Sequence, residues 1–146
     1  MRELPRQLSA DELAELFEGH TRFVERLAEI ENPLAAAPEL IAKVPDDELV
    51  EALAAHPAIG QRDGLSARST AEQGDDVDPA VLTELAYLNQ VYEEKFGFRF
   101  VVFVNRRPKS EILDILRARL ERDHDEELRT ATAELVAIAR DRWENA

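Results

Sequence analysis

An all-α fold is predicted for this chain: one multi-helix domain over residues 1–146, with an extended connector at about residues 98–104. Three observations carry that prediction. Apolar residues recur every three or four positions through most of the sequence, the signature of helices with one buried face. Helix start and stop signals fall between these stripes. Only Phe98 to Val104 is dense enough in aromatic and β-branched residues to read as extended, and it has no second such segment to pair with.

The elements follow in order. Ser9-Ala10-Asp11-Glu12 is a capping box, and Leu13, Leu16 and Phe17 continue a first helix up to Gly19. Phe23, Val24, Leu27 and Ile30 form a second stripe, closed by Asn32-Pro33 because proline disfavours helical geometry in the residue before it. Pro38 is expected to open a short turn through Val44, and Asp46 to cap the helix that carries Leu49, Val50 and Leu53. That helix must stop near His56, since Pro57 follows.

Residues 57 to 68 read as a loop, Ser69 to Glu72 as a helical turn, and Asp78-Pro79 as an N-cap with proline in the first position. The next stripe is Leu82, Leu85, Asn89, Tyr92 and Phe96, with Gly97 as C-terminal cap. Phe98 to Val104 is expected as a buried connector, because an isolated strand would leave its backbone groups unpaired. Asn105-Arg106-Arg107-Pro108 turns the chain. Ile112, Leu113, Leu116 and Leu120 define one more helix, and Leu128, Ala131, Leu135 and Ile138 the last. Four residues beyond Ile138 the same face carries Arg142, so an arginine is aimed at the interior. The acidic run Asp123 to Glu127 reads as a solvated helix start.

Composition narrows the partners. With 31 acidic against 18 basic residues the net charge is -13, which repels nucleic acid and anionic lipid and argues against both as partners. The absence of cysteine excludes disulfides, thiolate nucleophiles and cysteine zinc sites. The sequence contains no His-Glu-x-x-His, calcium loop or phosphate-cradling glycine loop, so no metal site is expected. There is no apolar run of signal-peptide or membrane-spanning length, and a soluble cytoplasmic protein is the expectation.

Chemistry concentrates in Ala55-His56-Pro57-Ala58-Ile59-Gly60 and Ser69-Thr70-Ala71-Glu72-Gln73. His56 carries the side chain best suited to proton transfer near neutrality, though a histidine at a helix C-terminus also serves to satisfy the last carbonyls. Ser69 and Glu72 have capping-box spacing and would appear for helix initiation alone. Gln73 adds a carboxamide that capping does not require, able to donate and accept toward a ureido group. Arg142 offers a fork for a carboxylate, or equally an ion pair within the fold. Asn89 and Arg119, both near inward faces, are reserve candidates.

These segments, with Leu88-Asn89-x-x-Tyr92, Phe96-Gly97-Phe98-x-Phe100, Arg119-Leu120 and Ile138-x-x-x-Arg142, resemble the 2-oxo-4-hydroxy-4-carboxy-5-ureidoimidazoline (OHCU) decarboxylases, which form (S)-allantoin in urate degradation. The resemblance runs from about residue 10 to the C-terminus. It implies an all-helical homodimer without a cofactor, acting on a small ureidoimidazoline. In it His56 and Glu72 are catalytic; Ser69, Gln73 and Arg142 bind substrate, and the segment of Phe98, Phe100, Val101 and Val102 contributes backbone groups. The chain departs from the family at Arg22-Phe23-Val24-Glu25, where members often carry Ser-Pro-Trp. Two other functions fit the residues: an acidic helical module that binds a protein partner, and a cofactor-free lyase acting on another ureido compound.

Overall fold

Ser9 starts the first helix as the spacing predicts: its Oγ accepts from the Glu12 N–H at 3.1 Å while the Glu12 carboxylate accepts from the Ser9 N–H at 3.1 Å. A computed structural model describes residues 3–57 and 78–145, and within them the chain forms seven helices and no strand. These are α1 (Ala10–Phe17), α2 (Arg22–Ala28), α3 (Pro33–Ile41), α4 (Asp46–Ala55), α5 (Pro79–Phe96), α6 (Lys109–Arg119) and α7 (His124–Glu144). The all-α expectation holds, and no helix among the described residues is long and apolar enough to cross a membrane.

The longest helix, α7, packs against α1, α3 and α4; α2 bridges α1, α3 and α4, and α5 lies along α6. Leu13, Phe23, Leu34, Leu53, Tyr92, Phe100, Ile112 and Leu135 are at most 1% exposed and belong to one apolar cluster. Each such aliphatic or phenylalanine side chain contributes about 1.5–3 kcal/mol through burial. Arg26 reinforces the α2–α4 contact with two bonds to the Glu48 carboxylate, at 2.5 and 2.8 Å. Between α1 and α2 the chain passes close to the end of α4 at Gly19, where an added Cβ would sit 3.1 Å from the Ala55 Cβ.

The connector is extended, as predicted, with Phe98, Phe100, Val101, Val102 and Val104 all buried and no strand partner among the described residues. Gly97 opens it in the left-handed conformation, φ 80°, and Asn105 and Arg106, at φ 49° and 62°, turn the chain at its far end. Side chains replace the missing sheet. Arg107 donates to the carbonyls of Phe103 and Val104, Arg119 donates to the carbonyl of Val101 at 2.8 Å, and the Glu134 carboxylate accepts from the Phe103 N–H at 3.3 Å. Those bonds satisfy backbone groups that would otherwise be buried without partners.

Four local expectations are corrected. Asn32-Pro33 starts α3 rather than closing α2, because proline in the first helical position loses no intrahelical bond. Pro38 accordingly lies inside α3, on its exposed side. Asp46 is the first residue of α4 and not its cap, and its carboxylate pairs with Arg129 of α7 at 3.1 Å. Glu127 is fully buried, where a solvated helix start was expected, because Arg119 and Tyr92 both bond its carboxylate.

Candidate active site

Pro57 sets the geometry from which the site is built. It holds the preceding residue out of the helical region, so α4 ends at Ala55 and His56 is extended, with φ -83° and ψ 140°. Arg99, from the connector, donates to the carbonyls of both Ala54 and His56, tying the end of α4 to the end of α5. The His56 ring is turned inward and 8% exposed, and its Nδ1 has no hydrogen-bond partner among the described residues. Burial pushes its pKa down from 6.5 to about 4; the positive charges of Arg142 and Arg99 act in the same direction, and Glu18 acts against them. His56 is therefore a neutral imidazole at pH 7, able to accept a proton.

Arg142 comes from the last turn of α7 and is 3% exposed, so the interior aim read from the Ile138 spacing is realised. Its Nη1 donates to the Leu16 carbonyl at 2.9 Å and pairs with Glu18 Oε1 at 3.3 Å. Glu18 reaches this position through an unusual backbone. It caps α1 in the left-handed region at φ 65°, where a residue with a Cβ is disfavoured, and its N–H bonds the Ala14 carbonyl. The consequence is a carboxylate, a guanidinium and a neutral imidazole at the junction of α1, α4 and α7.

Other candidates stand at differing distances from this group in the fold. Ser69, Glu72 and Gln73 lie outside the described residues. Asn89 is half-buried on α5, one turn before Tyr92. Phe98, Phe100, Val101 and Val102 are 1–5% exposed in the connector, and no acceptor among the described residues meets the N–H groups of Phe100, Val101 or Val102. A groove of about 310 Å³ runs beside the connector's start, lined by Val50, Ala54, Glu93, Gly97, Phe98 and Arg99, on the side of the His56 carbonyl.

Arg119 occupies a separate buried cluster. Its Nε donates to Glu127 Oε1 at 2.5 Å, the Tyr92 hydroxyl donates to the same oxygen at 2.5 Å, and the guanidinium lies 4.6 Å from the centre of the Phe100 ring. Burial, and the bond to Glu127, raise the Tyr92 phenol well above its ordinary range, so it is a donor at any physiological pH.

Sequence reasoning missed three contributors: Glu18, Arg99 and Glu127. Glu18 follows a helix end, where a solvated acid is the ordinary reading, and Arg99 alternates between large apolar residues, where the outward side is the ordinary one. A signal existed only for Glu127, which stands one residue before Leu128 at the edge of an inward stripe.

Comparison with known proteins bears on the family and the fold. A family model described as OHCU decarboxylase matches residues 2–144. The 2-oxo-4-hydroxy-4-carboxy-5-ureidoimidazoline decarboxylase of Haloferax volcanii is 32% identical over 144 residues, covering 88% of this chain and 83% of that protein. The uric acid degradation bifunctional protein PucL of Bacillus subtilis is 29% identical over 151 residues, covering 96% of this chain, which spans only 30% of that longer protein's length. A crystal structure of OHCU decarboxylase in the presence of (S)-allantoin shares the fold, with a TM-score of 0.75 at 24% identity over 92% of this chain and 96% of that one. Matched along almost its entire length, the chain belongs to the OHCU decarboxylase family.

Proposed function

We propose that this protein catalyses the cofactor-independent decarboxylation of OHCU to (S)-allantoin in urate degradation. The observation that carries the reading is the buried, neutral His56 beside the Arg142–Glu18 pair, on the scaffold of a family named for that reaction. The substrate bears a carboxylate and a hydroxyl on one ring carbon, next to a ring C=N. When the bond to the carboxylate breaks, CO2 leaves and the electron pair passes into the C=N, so the substrate supplies its own electron sink. The protein has to orient the substrate, place charge and move protons on one face.

In this mechanism Arg142 and the backbone N–H groups of the Phe98 to Val102 segment hold carboxylate and carbonyl oxygens. Ser69 and Gln73 fix the ureido and ring polar atoms. His56, with Glu72, takes the proton of the 4-hydroxyl, a role that a neutral imidazole fills without first losing a proton of its own. Reprotonation at the ureido-bearing carbon sets the stereocentre. Asn89 remains a reserve contact from α5. We extend the proposal to a cytoplasmic homodimer whose subunit is one domain over residues 1–146.

The test generates OHCU in place from urate with urate oxidase and hydroxyisourate hydrolase and follows circular dichroism. Accelerated appearance of (S)-allantoin supports the reading. Decay at the spontaneous rate to racemic product overturns it, and leaves the protein-binding module or a lyase of another ureido compound.

A further inference from the structure

We infer that Arg119, held by Glu127 and Tyr92, is a positioning residue that aims the Val102 N–H at the substrate. This inference rests on the proposed function, because it supposes that the connector faces the reacting ring. Its ground is the geometry of one peptide group. The Val101 carbonyl accepts from Arg119 Nη1 at 2.8 Å. A trans peptide is planar with its C=O and N–H pointing in opposite directions, so fixing the Val101 carbonyl toward Arg119 turns the Val102 N–H the other way.

That N–H meets no acceptor among the described residues, whereas the next one, on Phe103, is taken up by Glu134. Among the described residues the connector has no strand neighbour to set its orientation, and side chains around it hold its backbone instead. Arg119 is itself fixed on several sides: Glu127 bonds its Nε, the Tyr92 hydroxyl holds the same carboxylate oxygen, and the Phe100 ring lies under the guanidinium. Arg119 is 5% exposed and Glu127 fully buried, so the brace is screened from water and has little freedom to drift. An amide donor whose direction is set before substrate arrives stabilises charge without reorganising during the reaction.

The experiment measures kcat and KM of the full chain and of Arg119→Lys on OHCU generated in place, at a temperature where melting curves show both folded. It also follows the Val102 amide resonance of ¹⁵N-labelled protein during titration with (S)-allantoin. Lysine can keep a charge pair with Glu127 but lacks the second arm that reaches Val101. The expected result is a kcat lowered about tenfold, below the 10²–10³-fold cost of deleting such a donor outright, with KM nearly unchanged. The Val102 amide shifts on titration in the wild type and loses most of that response in the variant.

If Arg119→Lys does not fold, Tyr92→Phe removes only the hydroxyl that steadies Glu127, and kcat should fall about threefold. A folded variant with wild-type kcat and an unchanged amide response overturns the positioning role while leaving the decarboxylase reading standing. A wild-type protein that neither turns over OHCU nor binds (S)-allantoin overturns both.

Discussion

Among the described residues two arginines are buried against glutamates, and the two pairs are put to different ends. Arg119 and Glu127 lie 5% and 0% exposed, and their partners are a phenol, an aromatic face and a backbone carbonyl. Arg142 is as deeply set, but Glu18 lies at the edge of the core, and the field of the pair falls on a histidine that keeps an open ring nitrogen. One pair braces backbone, and the other shapes the proton affinity of an imidazole. The difference teaches that burial of charge does not by itself mark a reactive site. What points to one is a neighbouring group whose protonation is set by burial first and then by nearby charge, and whose polar atom is left available.

The sharpest test of the contrast removes the imidazole. His56→Ala should slow (S)-allantoin formation by about 10²–10⁴-fold, the usual contribution of a general acid–base group, with the melting curve close to wild type. A variant of full activity would return His56 to the role of a helix-end residue.

Breaking the other pair should act on stability as well as on kcat. Arg119→Met leaves the buried Glu127 with only the more distant Arg122, at 3.8 Å, and should cost about 3–5 kcal/mol in urea denaturation. Arg119→Met with Glu127→Leu should recover much of that loss, because no lone charge stays inside. If the double variant is no more stable than the single one, the loss did not come from leaving the Glu127 charge inside.

The pH dependence carries the next effect in size. The His56 pKa is about 4 in the folded protein against an ordinary 6.5, so between those values the unfolded chain binds the extra proton. Its contribution is complete above pH 6.5 and is lost as pH falls toward 4, by about 3 kcal/mol in total. His56→Gln should flatten this part of the stability profile. For the wild-type protein acting on OHCU as proposed, the acid limb of kcat/KM should fall near pH 4, and a limb near 6.5 would mean that His56 is not depressed in the free protein.

The smallest effect belongs to Glu18. Its charge opposes the downward shift of His56, so Glu18→Gln should lower the His56 pKa further, as read from the imidazole resonances in an NMR titration. An upward move would mean that the carboxylate acts on His56 by some route other than its charge.

Much of this architecture was legible because it is local. The Ser9 capping box, the stop imposed by Pro57, the Asp78 cap with Pro79 behind it and the left-handed Gly97 each depend on a few adjacent residues. The inward aim of Arg142 was legible for the same reason, since a helix repeats its faces and Ile138 had already identified the buried one. The Asn32-Pro33 and Pro38 assignments failed where two prolines competed for one helix start. For Glu127, an unseen partner outweighed the usual preference of an acid in a first helical turn for solvent.

The candidate site divides along the same line. His56, Arg142 and the buried connector could be named from spacing and residue type, and likeness to a family tied them to one reaction. That His56 is neutral, that Arg99 grips its carbonyl and that Glu18 faces Arg142 follow from segments far apart in the chain being packed together. Periodicity reports which side of a helix turns inward. It does not report which charges meet there, because desolvation and Coulomb forces act through space and are set only when α1, α4, α7 and the connector close on one another.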